Sequence, residues 1–213
     1  MWLSGENGRH LFQPNDGKAV GHMDSQIRRE RLRAIGVVLA AGSGRRYGRP
    51  KILAEHGRWL ESAINALADG GCAAVWVTTG AARPPIPAPA LELYVPEWFH
   101  GLSQSVRAAV AAASTAGTCH TLVLHIVDTP DVGADVVARL LSVHSGVHTL
   151  ARVSFRGVPG HPVAIGRSHW PALTRSLTGD TGAGNYLRTH NVHLVECGDL
   201  ATGADIDWNP QQT

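Results

Sequence analysis

The first clear pattern in the chain begins at Ile35. Ile35-Gly36-Val37-Val38-Leu39-Ala40-Ala41 is a continuous apolar run, rich in β-branched residues, that stops at a glycine cluster. A strand with one face in water would alternate apolar and polar residues, so an unbroken run fits a strand buried on both faces of a parallel sheet. Residues 73–79 (AAVWVTT) and 121–127 (TLVLHIV) read the same way. Between these runs, residues 59–68, 105–113 and 134–143 carry apolar side chains three and four apart, the spacing that lines one face of a helix. Strand alternating with helix predicts βαβ units, and right-handed crossovers then place helices on both faces of the sheet. The pattern predicts an α/β fold with a doubly wound, mostly parallel sheet in a single domain.

The proline-rich stretch Arg83–Pro89 suits neither helix nor central strand, because proline lacks a backbone donor. It reads as a surface connector ahead of an edge strand at 91–95. Beyond residue 147 the pattern loosens, with strands expected at 149–155, 162–166 and 192–197 and a glycine-rich turn at 179–184. Residues 1–30 are polar and irregular and read as an N-terminal extension, leaving 31–213 as the domain.

Composition narrows the function classes. Of 213 residues, 44% are hydrophobic and 17% charged, the profile of a globular chain with a core. No apolar run reaches the roughly 20 residues of a membrane span. Nineteen lysines and arginines against 17 acids leave a charge of +2, which argues against a nucleic-acid binder with a concentrated basic face. Cys72, Cys119 and Cys197 form no C-x-x-C pair and read as buried free thiols of a cytoplasmic protein. The start of the chain lacks the basic and apolar stretches of a secretory signal.

The chemistry concentrates at Gly42-Ser43-Gly44-Arg45-Arg46-Tyr47-Gly48-Arg49-Pro50-Lys51, directly after the first strand. Three glycines let backbone amides approach and point at an anion, and four cations crowd the same few residues, so phosphate is the natural ligand. A dinucleotide fingerprint needs G-x-G-x-x-G and an acid at the end of the second strand. Here the spacing is G-x-G-x-x-x-G, and that strand ends Thr78-Thr79-Gly80. The glycine-lysine-serine/threonine of a Walker loop is missing too. Asp128 follows the third buried run, at the carboxyl edge where open α/β sheets bind ligands. Ser103 or Ser105 is expected to cap the second helix, and Asp131 the third.

Residues Leu39 to Lys51 resemble the L-A-A-G-x-G-x-R-x-G-x-x-K signature of the MobA-like nucleotidyltransferases, most closely the molybdopterin cytidylyltransferase branch. The resemblance implies that Leu39, Ala40, Ala41, Gly42, Ser43, Gly44 and Arg45, together with Ser105 of the segment Pro96–Arg107, bind the nucleotide. It implies catalytic roles for Arg46 and Lys51 around the reacting phosphates. Ala40-Ala41 resembles the CTP-using members rather than the GTP-using ones. Asp128-Thr129-Pro130 resembles the family's D-x-P, whose aspartate coordinates Mg²⁺, and Asp205-Ile206-Asp207 resembles its D-I-D. Alternate residues of an extended segment face opposite sides, and by register Asp207 is taken as the second ligand. Two carboxylates about 4 Å apart repel by roughly 4 kcal/mol at an effective dielectric near 20, which a divalent cation relieves.

Gly157–Val163 resembles the R-G-H-P-V segment that borders the second substrate, and Gly179–Gly184 resembles G-D-x-G-A-R with Gly184 in place of the arginine. The resemblance thus implies Arg156, Gly160, His161 and Asp180 at the acceptor. Transfer of CMP from CTP to molybdopterin-type cofactor, with release of pyrophosphate, is the implied activity, and a molybdenum enzyme the implied recipient. Two other readings stay open: a nicotinamide-dependent reductase, since nicotine blue oxidoreductases resemble this family, and a non-catalytic carrier of molybdenum cofactor.

Overall fold

The computed structural model describes residues 34–117, 119–143 and 146–207. The extension at 1–30 lies outside the described residues. The strands are β1 Ala34–Leu39, β2 Ala74–Thr79, β3 Leu91–Tyr94, β4 Thr121–Ile126, β5 Leu150–Phe155, β6 Val158–Gly166 and β7 His193–Glu196. They form one sheet in the order β3-β2-β1-β4-β6-β5-β7. Pairings are parallel between β1 and β2, β1 and β4, β2 and β3, and β5 and β7, while β6 runs antiparallel to both β4 and β5. The helices are α1 Arg58–Asp69, α2 Leu102–Thr115, α3 Ala134–Val143, α4 Trp170–Ser176 and α5 Gly184–Arg188.

The unbroken apolar runs are buried as their pattern requires, with all six residues of β1 inside. Alternate residues serve opposite faces. Val38 and Val123 pack with Leu67 of α1 and Leu140 of α3, whereas Val37 and Leu124 pack with Val106 of α2, Leu173 of α4 and Leu187 of α5. Fully burying one such side chain contributes roughly 1.5–3 kcal/mol relative to leaving it in water. Gly36 sits inside a strand because α1 crosses close over it: a Cβ there would lie 2.9 Å from Leu67 Cβ.

Two expectations are corrected. Helix α2 begins at Leu102, behind Gly101 at φ 105°, and no side chain caps it; Ser103 and Ser105 are buried within the helix instead. Asp131 does not cap α3, whose Val136 amide is taken by Asp135. The Asp131 carboxylate instead accepts from the Thr202 amide and hydroxyl and the Gly203 amide, tying the C-terminal segment to the β4–α3 loop. The short helices α4 and α5 lie where the sequence pattern predicts no helix. Among the described residues no helix is long and apolar enough to cross a membrane, and all three cysteines are buried and free.

Candidate active site

The strand order reverses direction at β1: β2 and β3 extend the sheet to one side, β4 to the other. Leu39 and Ile126 are register partners, so the chain leaves both strands at neighbouring points of the carboxyl edge. Such a switch point is where open α/β sheets bind ligands. The glycine loop leaves from β1 and Asp128 from β4.

The loop is fixed at its root and closed on itself. The Ala40 amide turns from the ladder to the buried Thr78 hydroxyl at 3.0 Å, and the Ala81 amide donates to Ala41 carbonyl at 3.0 Å. This explains why β1 ends at Leu39 rather than Ala41. Further on, Gly48 donates to Gly44 carbonyl at 2.8 Å. Tyr47 is 1% exposed and packs its ring, tilted, against Trp59 of α1 at 5.4 Å between centroids, plugging the loop into the core while its neighbours Arg45 and Arg46 stay outside. Gly44 has φ +63°, and a Cβ there would fall 1.9 Å from Arg49 carbonyl, so only glycine fits.

The chain then returns through Pro50 and sends Lys51 back across the edge. Its ammonium donates to Asp128 Oδ2 at 2.5 Å and to Asp207 Oδ1 at 3.0 Å. Arg46 Nη1 donates to the other oxygen, Asp207 Oδ2, at 2.9 Å. Asp207 reaches this place on the C-terminal arm, which is held by the Ile206 amide on Asp128 carbonyl at 3.0 Å and by Asp131 on Thr202 and Gly203. Burial opposes the charge on Lys51, but hydrogen bonds and charge from Asp128 and Asp207 outweigh it and hold its pKa above the ordinary lysine value. The hydrogen bond from Lys51 in turn lowers the pKa of Asp207. Asp205 moves the other way, raised by desolvation and by the charges of Asp128 and Asp207.

These groups line a cleft of about 530 Å³ that also takes in Leu39–Gly42, Gly44, Arg45, His161 and Asp180. A smaller cavity of about 290 Å³ adjoins it, shares Gly42, Arg45, Leu102 and Asp180, and adds Ser43, Ser105, Trp98 and Phe99. His161 is pushed down to a pKa of about 4 by burial and by the Arg152 charge, with Asp128 opposing. Neutral at physiological pH, it offers a ligand one donor and one acceptor.

Arg156 and Gly160 stand differently. Arg156 occupies the exposed β5–β6 turn at φ 53°, where its amide donates to Glu196, and Gly160 offers its carbonyl to Arg152 Nε at 2.7 Å. Neither lines the two cavities. The cation facing His161 and Asp205 is Arg152, four residues earlier. The sequence signal for it is a charged residue in the middle of a mostly apolar strand.

Residues 36–194 match the family model of the MobA-like NTP transferase domain. The chain belongs to that family. Among curated proteins, it is 38% identical over 188 residues to the nicotine blue oxidoreductase of Paenarthrobacter nicotinovorans, a match covering 81% of this chain and 91% of that protein. Among solved structures, Rv0371c of Mycobacterium tuberculosis is 25% identical with a TM-score of 0.65, covering 84% of this chain and 94% of that one; Rv0371c has also been solved in complex with manganese. The 2-C-methyl-D-erythritol 4-phosphate cytidylyltransferase of Thermus thermophilus shares the fold at 21% identity and a TM-score of 0.57, over 84% of this chain and 94% of that one. The glycine loop with its cations and Asp128 both lie within the stretch that the family model matches.

The donor set near Lys51 also fits a divalent metal. It is made of hard carboxylate oxygens, and two carboxylates completed by substrate phosphate and water is the usual way Mg²⁺ is held. Among the described residues no group of three or more histidines, cysteines and acids could hold a metal ion alone. Asp128 and Asp207 would therefore need the nucleotide to complete the coordination.

Proposed function

We propose that this chain is a divalent-metal-dependent nucleotidyltransferase that moves a nucleoside monophosphate, CMP by preference, from an NTP to an anionic acceptor of molybdopterin type and releases pyrophosphate. The observation that carries this reading is the convergence of Lys51 and Arg46 from the glycine loop with Asp128 and Asp207 at one edge of the sheet. In it, amides of residues 42–45 and Arg46 bind the β- and γ-phosphates, and Lys51 faces the α-phosphate. Asp128 and Asp207 would hold Mg²⁺, which when bound would supply positive charge against the reacting phosphate. His161 and Asp180 orient the acceptor. The acceptor oxygen attacks the α-phosphorus, the bond to the bridging oxygen breaks, and pyrophosphate leaves. No protein nucleophile is needed, because alignment and charge neutralisation supply the rate. The preference for CTP rests on Ala40-Ala41.

The direct test is pyrophosphate release from each of the four NTPs, with and without molybdenum cofactor. Release with CTP and cofactor together is expected, and no release under any combination would overturn the reading.

A second reading, a nicotinamide-dependent reductase, is favoured by the curated relative's name. Against it stands the end of β2, where Thr79 donates to Glu92, whose carboxylate is already paired with Arg83, so no free acid is left there for a ribose. Trp98 lines the smaller cavity, so titration with CTP and with NADPH, followed by tryptophan fluorescence, separates the two readings.

A further inference from the structure

Both oxygens of Asp207 are already occupied by cations, one by Lys51 and the other by Arg46, and Asp128 Oδ2 is taken by the same ammonium. A Mg²⁺ ion binds carboxylate oxygen at about 2.0–2.1 Å. An ammonium lying 2.5 Å and 3.0 Å from those oxygens fills the space such an ion would need. Ammonium and metal would also repel each other across a partly buried site where water screens them poorly. The two cations therefore compete for one place.

What decides the competition also lies in the cleft. Lys51 and Arg46 both come from the phosphate-binding loop, and the Arg46 side chain is 73% exposed. A triphosphate seated on the loop offers each of them an anion within reach, and the carboxylates they leave need a new countercharge. We propose that Lys51 and a divalent cation are alternative occupants of the locus between Asp128 and Asp207, so that the metal enters only when a nucleotide triphosphate draws Lys51 and Arg46 away. The inference rests on the nucleotidyltransferase reading above and adds an order of events: the empty protein keeps its carboxylates neutralised internally, and the metal arrives with or after the nucleotide.

The test is Mn²⁺ titration of the full chain, with free Mn²⁺ read by electron paramagnetic resonance, alone and with a CTP analogue whose α–β bridge cannot be cleaved. The wild-type protein alone is expected to bind Mn²⁺ about tenfold or more weakly than its complex with the analogue, the worth of one charge-assisted hydrogen bond. Lys51→Met alone is expected to bind Mn²⁺ tighter than wild type alone by a similar factor. Equal Mn²⁺ affinity of wild type and Lys51→Met overturns the exchange while leaving the metal-dependent reading in place. Absence of Mn²⁺ binding in both proteins, with and without analogue, overturns the exchange and the metal-dependent reading together. Should Lys51→Met not fold, Arg46→Met frees only one Asp207 oxygen and is expected to tighten Mn²⁺ binding by a smaller factor; an unchanged affinity there overturns the exchange.

Discussion

The two halves of the sheet meet between β4 and β6, and they equip the cleft differently. The parallel half, β3-β2-β1-β4, supplies a glycine loop with its cations and one carboxylate, all on the segments that directly follow β1 and β4. The half built on β6, β5 and β7 supplies a neutral histidine and, beyond its last strand, the arm bearing Asp205 and Asp207. In the first half geometry follows directly from buried strands. In the second it depends on a few side chains tying remote segments together. Damage to the first half should therefore remove chemistry outright, and damage to the second should loosen it.

The largest effect is expected at Asp128. Its carboxylate lies on the parallel half and serves no helix cap, so Asp128→Ala should cut pyrophosphate release by on the order of 10²–10³, the scale of losing one electrostatic contributor to a transition state. Circular dichroism should show an unchanged fold. Normal turnover would remove Asp128 from the chemistry and with it the proposed role of that edge.

Next comes Gly44→Ala, which attacks the loop without touching a charge. The added methyl meets Arg49 carbonyl at 1.9 Å in a backbone of positive φ. Left-handed backbone of this kind costs on the order of 1–3 kcal/mol at a residue not built for it. The loop must open, and nucleotide affinity by tryptophan fluorescence should fall about tenfold or more. An unchanged affinity would mean that the loop amides do not hold the nucleotide.

The same contrast governs what the sequence revealed. β1, β2 and β4 were legible because burial on both faces leaves an unbroken apolar run, and α3 matches its expected bounds, 134–143. The loop was legible because glycine spacing and crowded cations are local. Arg152 was not: its part depends on β5 pairing with β6, an antiparallel and bulged ladder that no spacing announces. Asp131 reads as a cap from sequence because local capping is the commonest use of an aspartate there, whereas its partners lie 71 and 72 residues away. Arg156 stands beside a motif in the sequence, but the turn that carries it at the surface is held by Glu196 from another strand.

Asp131→Ala tests whether the second half acts by positioning. The variant frees the Thr202 and Gly203 amides and leaves the arm held by the Ile206 amide on Asp128. The KM for nucleotide and metal should rise about threefold to tenfold with little change in kcat at saturation, because the arm still reaches the site but is ordered less of the time. A fall in kcat with unchanged KM would mean that Asp131 does more than tether.

The smallest effect belongs to Glu196, which ties the β5–β6 turn to the residues just after β7. Its carboxylate accepts from the Ser154 hydroxyl and from the Gly157, Gly198 and Arg156 amides, and these bonds hold its pKa at about 2, against an ordinary 4.5. A carboxyl depressed in the folded state stabilises the fold fully above its unfolded value, and that contribution drains away as pH falls through the folded value. The window thus runs from about 4.5 down to about 2. Glu196→Gln keeps an acceptor but loses the charge, so its melting temperature should depend less on pH across that window and lie slightly below wild type at neutrality. Turnover at neutral pH should not change, since Arg156 at this turn does not line the cleft. A wild-type acid limb reproduced by the variant would show that the turn is held by its backbone alone, and a loss of turnover would bring Arg156 back to the acceptor.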